Sequence, residues 1–317
     1  MLNTVLGALL PVVVTFVLGF IAAWHRDFGR NDASILNRMV LLYAVPLALF
    51  AGTVTTSRAA LSQDIPLVIA LCVAIIALYG LVFLFSRIIF RVPTSVSALH
   101  ALAASAPAVP FVGPAVLGDL FGGLSAVPIA VASLVINLAV VPVTILLLTL
   151  DTTGRTSLAA KDNEHLAALT TKLAETVKQP IVWAPILAFI VVLSGLHIPQ
   201  LIVHSLSLLG SASGGVALFA SGIVLASGKM KANSHVWLLV FLKNILQPAL
   251  VLGGLRWVGY GEPIVSEAVL TTAIPTMPIV IMFALQYRVA QAEAASAVFL
   301  SVIGSVVTMG VFIALTS

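Results

Sequence analysis

The chain has 317 residues, 61% of them apolar and 8% charged, with a mean hydropathy of +1.18. This lies outside the range of soluble globular domains and reads as an integral membrane protein, whose backbone hydrogen bonds must close in hydrocarbon. The net charge of +4 brings no basic cluster interleaved with exposed aromatics, which excludes nucleic acid as a partner, and the single cysteine, Cys72, excludes an intrachain disulfide or a cysteine metal cluster.

The first apolar stretch, 2–24, has no basic region before it and carries its positive charges after it, at Arg26 and Arg30; it is expected to be a membrane span and not a cleavable signal. Windows of about twenty apolar residues predict further spans at roughly 34–56, 66–86, 95–118, 125–149, 180–197, 201–227, 234–257, 264–286 and 292–316, ten in all. The longest polar stretch, 151–178, falls between the fifth and sixth and is expected to be a cytoplasmic loop running into a short amphipathic surface helix. It divides the chain into a first five-helix unit, 1–150, and a second, 179–317.

Charge orients this arrangement. The odd-numbered connections hold twelve of the basic residues, from Arg26 to Arg288, and the even-numbered ones only Arg58 and Arg256. By the positive-inside rule both termini are expected on the non-cytoplasmic side. The two units also echo each other. The tetrapeptide ALFA occurs at 48–51 in span two and at 217–220 in span seven, an offset of 169; the pattern PxxP occurs at Pro107 and Pro110 in span four and at Pro275 and Pro278 in span nine, an offset of 168. A unit with an odd number of crossings re-enters the membrane from the opposite side when repeated, so the expected fold is all-helical, with ten transmembrane helices in two inverted five-helix repeats. Inverted repeats of this kind mark secondary transporters.

The stretch SAPAVPFVGP, 105–114, places three prolines inside an apolar span. Each proline removes a helical hydrogen bond and clashes with the preceding turn. Backbone opened in this way is tolerated in a membrane only where neighbouring helices or a hydrated cavity satisfy it. Spans four and nine are therefore expected to be broken and to cross, with the amino ends of their half-helices presenting free amides and partial positive charge to a carboxylate. The residues expected to shape that site are Ser105, Pro107, Ala108, Pro110, Pro275, Thr276 and Pro278, with the hydroxyls of Ser105 and Thr276 as polar contacts.

Four further polar residues lie inside spans. Lys243, ten residues into span eight and followed by Asn244, Gln247 and Pro248, reads either as a fixed positive charge near an anion path or an ion site, or as a side chain snorkelling to an interface. Asn137 in span five suits an interhelical hydrogen bond. His100 in span four could exchange protons. Asp119 and Glu267 fall near span ends, and Asp64 and Glu262 in connections, so no carboxylate is expected at the crossing. That pattern argues for anion movement driven by membrane potential over proton or sodium coupling. No cofactor or metal is implied.

These motifs resemble the auxin efflux carrier family, which includes plant PIN-type carriers and bacterial proteins regarded as malonate permeases. The resemblance rests on 9–50, with LGF, LNR and YAVPLALF; on PAVPFVGP in span four; on AIPTMPIVIMFALQY in span nine; and on KNILQP in span eight. It implies a scaffold of spans one, two, six and seven, a moving domain of the others, and small organic anions as substrates. One departure is Ala108, where many members carry an asparagine able to hold a carboxylate. The reading that results is a secondary carrier of small carboxylates in a bacterial inner membrane, in contact with lipid and with self-association into a homodimer left open. The alternatives are a proton- or sodium-coupled organic acid symporter of the same fold, a non-transporting sensor without a soluble signalling domain, and an intramembrane enzyme, for which no convincing catalytic spacing is present.

Overall fold

A computed structural model describes residues 2–55, 64–156, 178–196, 198–227 and 230–316. The expected central loop and surface helix lie largely outside the described residues. Everything regular in the described chain is helical. The elements are α1 (Leu2–Trp24), α2 (Arg30–Met39), α3 (Val45–Val54), α4 (Ile65–Ile88), α5 (Thr94–Ser105), α6 (Val109–Phe121), α7 (Ala126–Val135), α8 (Val141–Thr156), α9 (Pro180–Ser194), α10 (Gln200–Ser227), α11 (Ser234–Phe241), α12 (Gln247–Val258), α13 (Ile264–Ala273), α14 (Ile279–Gln286) and α15 (Gln291–Leu315).

Among the described residues, seven helical stretches are long and apolar enough to cross a membrane: Val5–Trp24, Arg30–Val54, Ile65–Ile88, Val109–Asp151, Gln200–Ser227, Ser234–Val258 and Gln291–Leu315. Pro180–Ser194 and Ile264–Ala273 are apolar but shorter. Outward-facing leucines, isoleucines and tryptophans such as Leu208 and Trp257 are exposed along these helices, as a lipid-facing surface requires.

Three of the long stretches contain a π-helical turn, at Val40–Ala44, Ile136–Val140 and Leu242–Leu246. Each is followed at the second residue by proline: Pro46, Pro142 and Pro248. The wide turn absorbs the missing amide and the ring clash that a proline imposes on the preceding turn, so these helices continue through their prolines. Asn137, Lys243 and Asn244 all sit in such turns.

The helices pack in two groups. In the first, α10 lies against α1, α2 and α3, while α9 lies against α3. Glycine makes the closest approach possible: a Cβ on Gly19 of α1 would overlap the carbonyl oxygen of Phe219 in α10, and one on Gly222 of α10 would overlap that of Phe16 in α1. Small residues at such crossings let helix backbones pack where lipid supplies no hydrophobic drive. In the second group α4 packs on α5 and α7, α12 on α13, and α11 and α14 on α15.

Candidate functional site

The apolar stretches at 95–118 and 264–286 are interrupted where the prolines predict. The first stops at Ser105 and resumes at Val109; the second stops at Ala273 and resumes at Ile279. The chain leaves each helix through extended backbone at Ala106 and Ile274, and the two segments meet in an isolated antiparallel bridge between Pro107 and Thr276. The Ala108 amide donates to the Pro275 carbonyl (2.8 Å) and the Met277 amide to the Ala106 carbonyl (3.0 Å). Two opened backbones thus satisfy each other at the centre of the apolar helices. Pro110 and Pro278 cost little, because Pro110 falls in the first turn of α6 and Pro278 caps α14, positions whose amides need no helical partner, whereas Pro114 lies inside α6.

The carboxyl ends of the half-helices are closed by side chains. The Thr276 hydroxyl donates to the Ala103 carbonyl (2.9 Å), the Gln247 amide nitrogen to the Ser105 carbonyl (3.0 Å), and Lys243 Nζ to both Gln247 Oε1 (2.8 Å) and the Thr272 carbonyl (2.6 Å). Lys243 is 0% exposed and therefore does not snorkel. Beside it, Asn244 Nδ2 donates to the Ser301 carbonyl (2.7 Å), Ser301 Oγ donates to Asn244 Oδ1 (2.7 Å), and the Thr276 amide donates to Ser301 Oγ (2.9 Å). The amino ends of α6 and α14, by contrast, carry no side-chain cap.

A cavity of about 780 Å³ separates the two helix groups on one side of the crossing. Its inner end is formed by Pro110, Phe111 and Met277, its walls by α1, α3, α7 and α10, and it extends to Thr55 beyond the end of α3. Asn137 and Ser213 line it, are 3% and 1% exposed, and leave Oδ1 and Oγ respectively without a hydrogen-bond partner among the described residues. The Phe111 ring lies against Gly214 of α10, where a Cβ would collide with it. Across the seam on the far side of the crossing, Asn37 Nδ2 of α2 donates to the Met282 carbonyl of α14 (3.1 Å).

Of the residues singled out in the sequence, Pro107, Ala108, Pro275, Thr276 and Pro278 are buried in the crossing itself, and Pro110 and Asn137 reach the cavity. The Ser105 hydroxyl is bonded to the Ala101 carbonyl of its own helix (2.7 Å). His100 is buried, its Nδ1 3.3 Å from Ser86 Oγ and its Nε2 without a hydrogen-bond partner among the described residues. Sequence reasoning did not single out Ser301, Ser213, Phe111 or Thr272. It placed Glu267 near a span end, and the residue lies in the first turn of α13, buried at 4% exposed.

An apolar helical bundle, broken and cross-braced at its centre beside a cavity between two helix groups, is the architecture of a polytopic membrane transporter. Comparison with known proteins agrees: the family model described as "Membrane transport protein" matches residues 4–313, and the chain belongs to that family, the auxin efflux carrier family. Among curated relatives it is similar to the proteins named "Uncharacterized transporter YfdV" from Escherichia coli strain K12, Escherichia coli O157:H7 and Shigella flexneri, each 31% identical over 316 residues, covering 99% of this chain and 98% of the relative.

Proposed function

We propose that this protein is a secondary carrier of small organic carboxylates working by alternating access between its two helix groups. The observation that carries the reading is the cavity that ends on the crossing. There the uncapped first turn of α6 and the residue preceding the cap of α14 meet a wall bearing Asn137 and Ser213, two buried groups with unused hydrogen-bonding capacity. Helix amino ends favour negative charge, the Ser213 hydroxyl can donate to a carboxylate oxygen, and Asn137 Oδ1 can accept from a hydroxyl on the substrate.

The geometry also supports ten crossings in two inverted repeats. The 43 residues of Val109–Asp151 would be about 65 Å long as one helix, twice the hydrocarbon thickness. They turn at Gly122, whose φ is +56°. The two bridge hydrogen bonds interchange when 169 is added: residues 106 and 108 become 275 and 277. Pro107 therefore pairs in space with Thr276 and not with Pro275, so the offset of the ALFA pair, and not that of the proline pair, is the register of the crossing. Helix-end residues with positive φ recur at nearly the same offset: Arg26 with Gly195, Arg91 with Gly259, and Gly122 with Ala290.

In a ten-span topology Arg26, Arg91 and Arg288 share the face bearing most of the basic residues. Arginine at a helix carboxyl end is favoured by the helix dipole, and in the inner membrane that face is the cytoplasmic one. Both termini then lie outside. The first helix group is the scaffold, the second moves, and the cavity opens outwards while the Asn37–Met282 contact closes the cytoplasmic seam.

Thermal stability of the purified protein against a panel of mono- and dicarboxylates, amines and neutral polyols tests the substrate class. Carboxylates should stabilise the wild type, and Asn137→Leu should lose that response while folding normally. Stabilisation by amines or polyols with none by carboxylates would sink the reading.

A further inference from the structure

A cation buried in an apolar bundle needs a partner, and Lys243 has an unusual set. Its ammonium is fully buried, no carboxylate forms a salt bridge with it among the described residues, and both of its hydrogen-bond acceptors are neutral oxygens, Gln247 Oε1 and the Thr272 carbonyl. The second belongs to the carboxyl end of the half-helix α13. Gln247, itself buried, passes the link to the carboxyl end of the other half-helix through the Ser105 carbonyl. The ammonium thus sits where two helix dipoles present their negative ends. Carbonyls at the ends of broken helices form the kind of oxygen cage that binds a monovalent coupling cation in secondary transporters.

We infer that Lys243 is a resident cation: its tethered ammonium fills a monovalent-cation site at the crossing and holds the two half-helices in register, so the carrier needs no free coupling ion there. Lys243 is a positioning residue. It does not line the cavity, and it acts on the anion through the bridged segments 106–108 and 274–278, which join α5 and α13 to the half-helices α6 and α14 beside the cavity. The inference rests on the carrier reading above, but it makes a claim about the empty site that can be measured without any substrate.

Lys243→Ala exposes an oxygen-lined hole, whereas Lys243→Met fills the same volume without charge. Both should reduce carboxylate flux in proteoliposomes by at least about tenfold, the scale expected when a buried charge is taken from its acceptors. Only Lys243→Ala should recover, to within roughly threefold of wild type, on adding ammonium, methylammonium or sodium, because only it has room for a mobile cation at the half-helix ends. The melting temperature of purified Lys243→Ala should rise saturably with the same cations and not with choline, while wild type and Lys243→Met stay flat. A Lys243→Ala protein monodisperse only in ammonium or sodium supports the inference equally; one that is aggregated in every salt, or that melts identically in all of them, overturns it. So does wild-type flux through Lys243→Met. If the cations stabilise Lys243→Ala but no carboxylate is carried, the resident cation stands and the substrate reading fails.

Discussion

Replacing Ser301 by alanine removes one hydroxyl that serves two buried partners, and its consequence can be worked through the crossing. Ser301 Oγ accepts the amide hydrogen of Thr276 (2.9 Å) and donates to Asn244 Oδ1 (2.7 Å). The first partner lies in the extended segment between α13 and α14, where no helical carbonyl can take its place. Hydrogen bonds between membrane helices average about 0.6 kcal/mol, giving a floor of about 1.2 kcal/mol for the pair. A buried group left without a partner costs about 1–3 kcal/mol, which puts the expected loss nearer 2–4 kcal/mol. Since about 1.4 kcal/mol is tenfold in an equilibrium constant, hydrogen exchange of the peptide carrying the Thr276 amide should quicken about tenfold or more, and the melting temperature should fall. Asn244→Ala breaks the same link, so the double variant should lose less than the sum of the singles, by about 1 kcal/mol. Additive effects, or an unchanged exchange rate in Ser301→Ala, would refute the claim that this chain of bonds holds the crossing open.

Three further outcomes follow from the packing. Gly222→Ala sets a methyl group against the Phe16 backbone and should lower thermal stability by more than about 2 kcal/mol, whereas Gly253→Ala, with open space around it, should be neutral; equal melts would contradict the close α1–α10 approach. Asn37→Ala removes the Asn37–Met282 bond and should shift the population towards the cytoplasm-open state about fivefold, for about 1 kcal/mol, read as greater labelling of a cytoplasmic-seam cysteine; unchanged labelling counts against that closure. A reporter fused after the last residue should be active only on the outer side of the membrane, and cytoplasmic activity would refute the ten-span topology.

The membrane class, the helix breaks at 106–108 and 274–278 and the family were legible in the sequence because they depend on local facts: apolar run length, and prolines that cannot sit in a regular helix. The wide turns were not, although a trace was present, in that the polar residues Asn137, Lys243 and Asn244 each lie four or five residues before a proline. Partners distant in the chain were beyond reach. Nothing in the sequence aims Lys243 at the Thr272 carbonyl or Asn244 at Ser301, 57 positions away, because those contacts exist only once α12, α13 and α15 are packed. Which of the two offsets, 169 or 168, applies at the crossing was out of reach for a related reason: the prolines suggest their own alignment, while the backbone hydrogen bonds pair Pro107 with Thr276.

The most direct test is flux in proteoliposomes carrying a labelled monocarboxylate under an imposed potassium-diffusion potential. A monovalent anion experiences about 2.3 kcal/mol per 100 mV, a bias of roughly fifty-fold, so with no coupled ion the anion should leave inside-negative vesicles in proportion to the voltage, without any sodium or proton gradient. Flux that ignores voltage and requires sodium or a pH gradient would contradict the uncoupled carrier, and absence of carboxylate flux under every gradient would contradict the proposed substrate class.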